Sequence, residues 1–514
     1  MSLRNTEPKP LGRWVPLALL AVTALGLSLR LFRCGYAALS ADECTTYLFA
    51  TEPLSRIFSR EYQAETNPPL YYLLQRLWLP CGDDRAALRL LPILLGTLCI
   101  PMIYLLGRQI RGARVGLLAA LLLACAPLHI GHSRIIRTYS LLSLATLVAA
   151  WYLSRILGAH GLSLAEESEV PRPRARERLV SWAGYTIVTI AILYMHNTAV
   201  LFPVLTTGLV CAFVLLRALP VSFLKPWIAS HLVILLSASP WLWVMLAQSR
   251  TIMHDFWIPP TTPQWFYSQI LGLFPMPKVG KPLVLGLLGW GCWLLRRHPR
   301  VLLFVAVFFV GQPLLLTLLS FAQPILIVRA MVWSTAFAFV PLAVALEQLR
   351  TGGRGMLAFG ATMLVLGIQL VGARMSYPSE PEKPLFADFM TPLGDYQPAQ
   401  DTLVIAPETF AWHLWYDSRH LNLPRTGFGL SPHDTPCQLR EWLGVTEVPR
   451  SELVSRLKSR RVWFLHELRS SDPAIPPNSF DEAIESLEKW GRPAASWHSG
   501  NFELTRFERI GPGP

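Results

Sequence analysis

Apolar runs of about 18–22 residues recur along the first three quarters of the chain, separated by short polar turns. Wound as a helix rising 1.5 Å per residue, such a run crosses about 30 Å of hydrocarbon. Eleven stretches are read as spans: roughly 14–32, 88–107, 115–131, 138–156, 180–195, 198–217, 226–246, 282–295, 301–320, 330–349 and 355–373. The pattern changes near Met375, where apolar runs shorten and acids appear. Thr402–Ala406 and Arg461–Leu465 read as buried strands, and Phe502–Phe507 alternates as a third. Ser479–Trp490 reads as a helix with a serine cap and acids in its first turn. The expectation is a polytopic α-helical membrane protein of about eleven transmembrane helices. Its membrane domain covers residues 1–374, with a first outer loop over 34–85, and a small α/β domain covers 375–514.

Composition agrees with this class. Of 514 residues, 52% are hydrophobic and 15% charged, against about 25% charged in a soluble chain. The net charge of +13 is unevenly spread: residues 1–373 hold 14 acids against 31 Lys and Arg, the rest 19 against 15. Short basic loops at Arg108–Arg114, Arg155–Arg178, Arg296–Arg300 and Arg350–Arg354 read as cytoplasmic turns. Basic residues Arg4, Lys9 and Arg13 place the N-terminus in the cytoplasm, and an odd span count brings the tail outside. Topology therefore accounts for the positive charge, and nucleic acid is not implied. The eight cysteines form no CxxC pair. Cys34, Cys44 and Cys81 fall on the outer side, where sequence leaves a disulfide among them open.

Candidate chemistry lies where charges depart from this order. Asp42 and Glu43 are adjacent acids just past the first span, in a region poor in acids. Arg30, Arg33, Arg134, Arg137 and Arg329 lie at outer span ends or turns, which the positive-inside rule disfavours. Ionisable groups there tend to have a functional partner, and a lipid phosphate suits the arginine fork. Ordinary readings compete. An arginine at a span end often reaches for headgroups, an acid pair can start a helix, and Asn67-Pro68-Pro69 can be a rigid turn. His196, in Met195-His196-Asn197, can be a polar residue closing a span. His132 and His254 read as ordinary, and Trp241, Trp257 and Trp265 as interfacial aromatics.

Taken in order, these pieces resemble one family. An acid pair follows the first span, then Pro68-Pro69-Leu70-Tyr71-Tyr72, Ala87–Pro92, Tyr104–Arg108, Gly116–Ala120, Ala126–Ile130 and Arg137-Thr138-Tyr139. The set is similar to the bacterial dolichyl-phosphate-mannose protein mannosyltransferase-like glycosyltransferases of the GT-C superfamily. It is strongest over residues 12–155 and thins toward Arg329. The resemblance implies a plasma-membrane enzyme that takes a sugar from a polyprenyl phosphate on the outer face. The sugar passes with inversion to a hydroxyl of a protein, lipid or glycan. The family's first-loop acid falls on Asp42, with Glu43 beside it, and its phosphate-binding basic residue on Arg137. Relatives often carry His or Lys where Asn67 stands, and an acid near Ile135-Ile136. On this reading Asp42 is the general base and Glu43 orients the acceptor, shares the base role or binds a metal. Arg137 and Arg329 hold the phosphate, and His196, Tyr139 and Asn67 line the substrate. No cofactor is required, although the acid pair could support a divalent metal. A lipid-linked sugar flippase is the alternative, but no internal repeat of the transporter kind is evident.

Overall fold

A computed structural model describes residues 14–58, 65, 67–162, 164, 174–252, 258–351, 354–421, 423, 427–430, 445–468 and 480–510. The expectations at Arg4, Lys9 and Arg13, at His254 and Trp257, and at the Ser479 cap lie outside these residues. The chain forms two compact units. One comprises Met1–Gly35, Thr66–Leu74 and Pro80–Ser379; the other Tyr36–Glu65, Gln75–Leu79 and Glu380–Pro514.

The first unit is helical, and all eleven apolar stretches are helices in it. Seven helices among the described residues are long and apolar enough to cross a membrane, or eight if a pair bent by 41°, Pro299–Phe309 and Gly311–Ser320, forms one span. The two numbers differ for local reasons. The stretches at 88–107 and 115–131 join as Arg85–Ala124, counted once but folded at Arg111-Gly112, where Gly112 takes φ 85°. Gly107 and Gly116 meet across this fold: a Cβ on Gly116 would lie 2.6 Å from the Tyr104 carbonyl. Small residues allow that backbone approach. Lys281–Leu295 is apolar but only 15 residues long, and Ala175–Leu193 opens on Arg176-Glu177-Arg178.

Val328–Arg350 is the central span and is almost wholly buried, whereas Trp14–Leu31 exposes most of its surface. Aromatic rings build the centre. Phe308 stacks on Phe337 at 4.7 Å, and Phe202 meets both Phe308 and Trp333. Several of the arginines expected at outer span ends serve this packing. Arg30 is fully buried; its Nη1 donates to the Gly26 and Ala124 carbonyls and its Nε to Ser133 Oγ. Arg33 donates to the carbonyls of Pro378 and Ser379. Arg134 donates to the Arg33 carbonyl and lies over the Tyr377 ring at 4.5 Å. These three tie the ends of helices to neighbouring backbone.

The second unit contains a six-stranded mixed sheet. Its strands are β1 (Asp401–Ala406), β2 (Gly427–Gly429), β3 (Val445–Glu447), β4 (Arg461–Glu467), β5 (Gly491–Ser499) and β6 (Phe502–Arg509), ordered β3-β2-β1-β4-β6-β5. The first four pair in parallel, and β6 runs antiparallel to β4 and β5. The three expected strands are β1, β4 and β6. The expected helix is Asp481–Trp490, whose Leu487 and Trp490 pack over Val404, Val462, Phe464 and Phe507. Asp401 is buried and accepts from Arg461 Nη2 at 2.8 Å and Trp463 Nε1 at 3.0 Å. Cys34, Cys44 and Cys81 are free thiols.

Candidate functional site

The expected residues fall into two groups, one in each unit. In the helical unit, the chain turns tightly after Pro127–His132, and Arg137 N–H bonds the Ile135 carbonyl at 2.7 Å. Ile136 is fully buried and pins the turn, while Arg137 is half-buried. Arg137 Nη1 donates to the Tyr72 hydroxyl at 3.2 Å. Tyr139 opens the next helix and is buried between two imidazoles: His132 edge-on at 5.2 Å and His196 at 6.4 Å.

His196 caps the short turn Asn197–Val200. Its Nδ1 accepts from Thr198 N at 3.2 Å and lies 2.9 Å from Thr198 Oγ1. Burial first, and then the positive charges of Arg137 and Arg329, lower His196 to about 4. Both guanidiniums therefore act on one imidazole, which is neutral at physiological pH. Arg329 sits in the turn Val328–Met331 at the head of the central span, and its charge also reaches His132. The segment carrying Asn67 is held to this region by backbone: Leu70 N–H donates to the Tyr194 carbonyl at 3.2 Å. Asn197 Oδ1 accepts from Trp241 Nε1 at 2.9 Å, fixing the turn from the other side. Arg137, Arg329, His196, Tyr139 and the Asn67 segment are thus brought into one neighbourhood, with Tyr72 and His132. An apolar pocket lies in the same unit, lined by Pro127, His129, Phe274, Leu288, Thr335 and Phe339 among others.

The acid pair lies in the second unit, in the first turn of helix Ala41–Thr51. Glu43 is buried. Its Oε2 accepts from Ser40 N at 3.0 Å and Ser40 Oγ at 3.1 Å, the reciprocal bond of a capping box. Glu43 therefore organises its own helix, and Asp42 beside it is half-buried. Arg76 Nη1 donates to the Ala50 carbonyl at 3.2 Å and satisfies the far end of the helix. Among the described residues no group of three or more His, Cys, Asp or Glu is placed to hold a metal ion. The acid pair alone supplies two carboxylates, one of them already engaged in capping.

Sequence reasoning missed the role of Tyr72, although it had marked the Pro-Pro-Leu-Tyr-Tyr run. It also set His132 aside. Neither has a signal in spacing; both join the group because two turns far apart in sequence pack together.

Residues 66–163 match the family model described as dolichyl-phosphate-mannose-protein mannosyltransferase. Among curated proteins no significant sequence match is found. The structure is similar to that of ArnT from Cupriavidus metallidurans in the apo state, with a TM-score of 0.68 at 12% identity over 95% of this chain and 97% of that one. The same protein bound to undecaprenyl phosphate gives 0.65 at 12% identity over 95% and 97%. The oligosaccharyltransferase AglB from Archaeoglobus fulgidus, in complex with an inhibitory peptide and a dolichol-phosphate, gives 0.59 at 11% identity over 93% and 72%. The fold is that of the GT-C glycosyltransferases. The stretch matched by the family model carries Asn67, Tyr72, His132, Arg137 and Tyr139.

Proposed function

We propose that the chain is a membrane glycosyltransferase that moves a sugar from a polyprenyl-phosphate donor to an acceptor hydroxyl on the extracytoplasmic face. The observation that carries the reading is the joint action of Arg137 and Arg329 on His196, with Tyr72 and Tyr139 alongside. Two guanidiniums around a neutral imidazole suit a phosphate monoanion or dianion that gains charge as it leaves. The similar ArnT and AglB structures hold undecaprenyl phosphate and dolichol-phosphate, which favours a lipid-phosphate donor for this chain too.

In this mechanism Asp42 takes the acceptor hydroxyl proton as its oxygen attacks the anomeric carbon. The bond from that carbon to the phosphate oxygen breaks, and the phosphate departs into the field of Arg137 and Arg329. One displacement inverts the configuration. Glu43 acts by holding the first turn in which Asp42 sits. His196, Tyr139 and Asn67 bound the donor headgroup. The proposed topology has a cytoplasmic N-terminus and an extracytoplasmic C-terminal domain over 375–514, in a bacterial plasma membrane.

The test uses purified protein in lipid nanodiscs with a radiolabelled sugar on polyprenyl phosphate. Asp42→Asn is expected to lower transfer by about 10²–10⁴-fold, the usual contribution of general-base catalysis, while leaving donor binding intact. Arg137→Ala is expected to weaken donor binding. Wild-type transfer in the first variant removes Asp42 as base, and unchanged binding in the second removes the phosphate role. Sugar that crosses the bilayer while still joined to its lipid would indicate a flippase instead.

A further inference from the structure

Arg329 lies in a turn too short to hold itself. Val328–Met331 is a single 3-10 turn, entered from Ile327 in extended backbone at φ −145° and ψ 141°. Within it, Ala330 N–H donates to the Ile327 carbonyl at 3.1 Å. So short a turn leaves most of its peptide groups to be satisfied from outside. Two neighbouring helices do this with glutamines. Gln269, near the end of Pro263–Gly272, accepts the Val328 N–H on its Oε1 at 2.9 Å. Gln312, in the first turn of Gly311–Ser320, donates its Nε2 to the Ala330 carbonyl at 2.6 Å. The residues immediately before and after Arg329 are thus each gripped by an amide, one accepting and one donating.

The approach to this turn is fastened by the same two helices. Trp265 Nε1 donates to the Leu326 carbonyl at 2.9 Å, and Ser320 Oγ accepts the Ile325 N–H at 3.2 Å. Leu326, Ala330 and Met331 are buried with Leu201, Leu273 and Leu316. Such apolar packing seats the segment, but it is non-directional and does not fix how the peptides face. Gln312 shows that the polar bonds matter separately. It is fully buried, and its Oε1 has no hydrogen-bond partner among the described residues. A leucine or methionine would fill that place without burying an unmatched carbonyl. The bond from Nε2 to Ala330 is what the amide supplies in exchange. Arg329 itself is half-buried. Its guanidinium stands at the end of a long stem, so a small rotation of either flanking peptide moves it far.

We propose that Gln269 and Gln312 are positioning residues that clamp the backbone on both sides of Arg329 and so aim its guanidinium at the donor phosphate. Two helices distant in sequence thereby set the direction of one charge. The proposal rests on the reading of Arg329 as a phosphate-holding residue.

The experiment titrates polyprenyl phosphate into full-length protein in nanodiscs. Gln269→Met and Gln312→Met keep length and bulk and remove the amide, and each is made both alone and together with Arg329→Ala. Alone, each is expected to weaken binding by about threefold to tenfold, the worth of one ordinary hydrogen bond. With Arg329→Ala present, the same substitutions are expected to change affinity by less than about twofold, because residues acting through one side chain couple instead of adding. A role in packing alone would persist without the guanidinium. Wild-type affinity in either methionine variant therefore overturns the proposal, and so does an equal loss in the Arg329→Ala background. If Gln312→Met fails to fold, Gln269→Met decides by the same outcomes. Weakened binding in Arg329→Ala beside unaffected methionine variants sinks only the clamp. Wild-type affinity in Arg329→Ala sinks the phosphate role of Arg329 and the clamp with it.

Discussion

Tyr72 and Arg137 illustrate what a single hydroxyl does in this protein. The Tyr72 oxygen accepts from Arg137 Nη1 and orients one edge of the guanidinium. Tyr72→Phe removes that bond and keeps the ring. It is expected to weaken donor binding by roughly 1 kcal/mol, about fivefold, measured by titrating polyprenyl phosphate into nanodisc-held protein. His196 gives a prediction with a definite sign. Its value in the folded protein, about 4, lies below the ordinary 6.5, so the unfolded chain binds the proton more readily. Its stabilising contribution is complete above pH 6.5 and is lost as pH falls from there through about 4. The melting temperature is expected to drop across that window and to drop less in His196→Asn. Legibility at this scale was partial. Asp42, Arg137, Arg329 and His196 could be singled out because a charge or imidazole at an outer turn breaks a compositional rule. Tyr72 could not, because nothing about a tyrosine in the Pro-Pro-Leu-Tyr-Tyr run is odd until another turn packs against it. Arg30, Arg33 and Arg134 broke the same rule as Arg137, yet they bond backbone carbonyls. The rule finds unusual charges without saying what satisfies them.

At the scale of elements, the hydrophobic period located the long helices of the first unit because lipid and core both select apolar faces, but not the shorter Pro263–Gly272. It did not show where helices join or bend. Arg85–Ala124 is a hairpin whose arms approach through Gly107 and Gly116. Gly116→Val would drive a branched side chain against the Tyr104 carbonyl, which lies 2.6 Å from the nearest position a Cβ can take. The expected cost is about 1–3 kcal/mol, seen as a lower melting temperature and poorer recovery of monodisperse protein. In the sheet, strands β1, β4 and β6 were readable because they are buried or alternate. Strands β2 and β3, three residues each, fall below the length at which periodicity carries information.

For the whole molecule, the linear division of the chain differs from its division in space. Tyr36–Glu65, which carries the acid pair, is compact with Glu380–Pro514. Sequence alone gives no hint of this, since the two pieces are separated by every span after the first and share no pattern. Removal of residues 375–514 is therefore expected to abolish sugar transfer even where the membrane helices insert normally. Limited proteolysis should then cut the loop around Ala41–Thr51, which the intact protein protects. A truncated chain that still transfers sugar would confine the C-terminal sheet to an accessory task.

The packing of Ala41–Thr51 against Ala411–Asp417 also orders events during synthesis. The ribosome releases Tyr47 early, but Tyr416, whose ring meets it edge-to-face, emerges some 370 residues later, roughly 20–75 s at ordinary elongation rates of about 5–20 residues per second. Throughout that interval the bilayer-embedded portion can be threaded and assembled while Ala41–Thr51 waits without the packing that supports it. The helix that carries Asp42 and Glu43 is thereby among the last parts of the chain to settle.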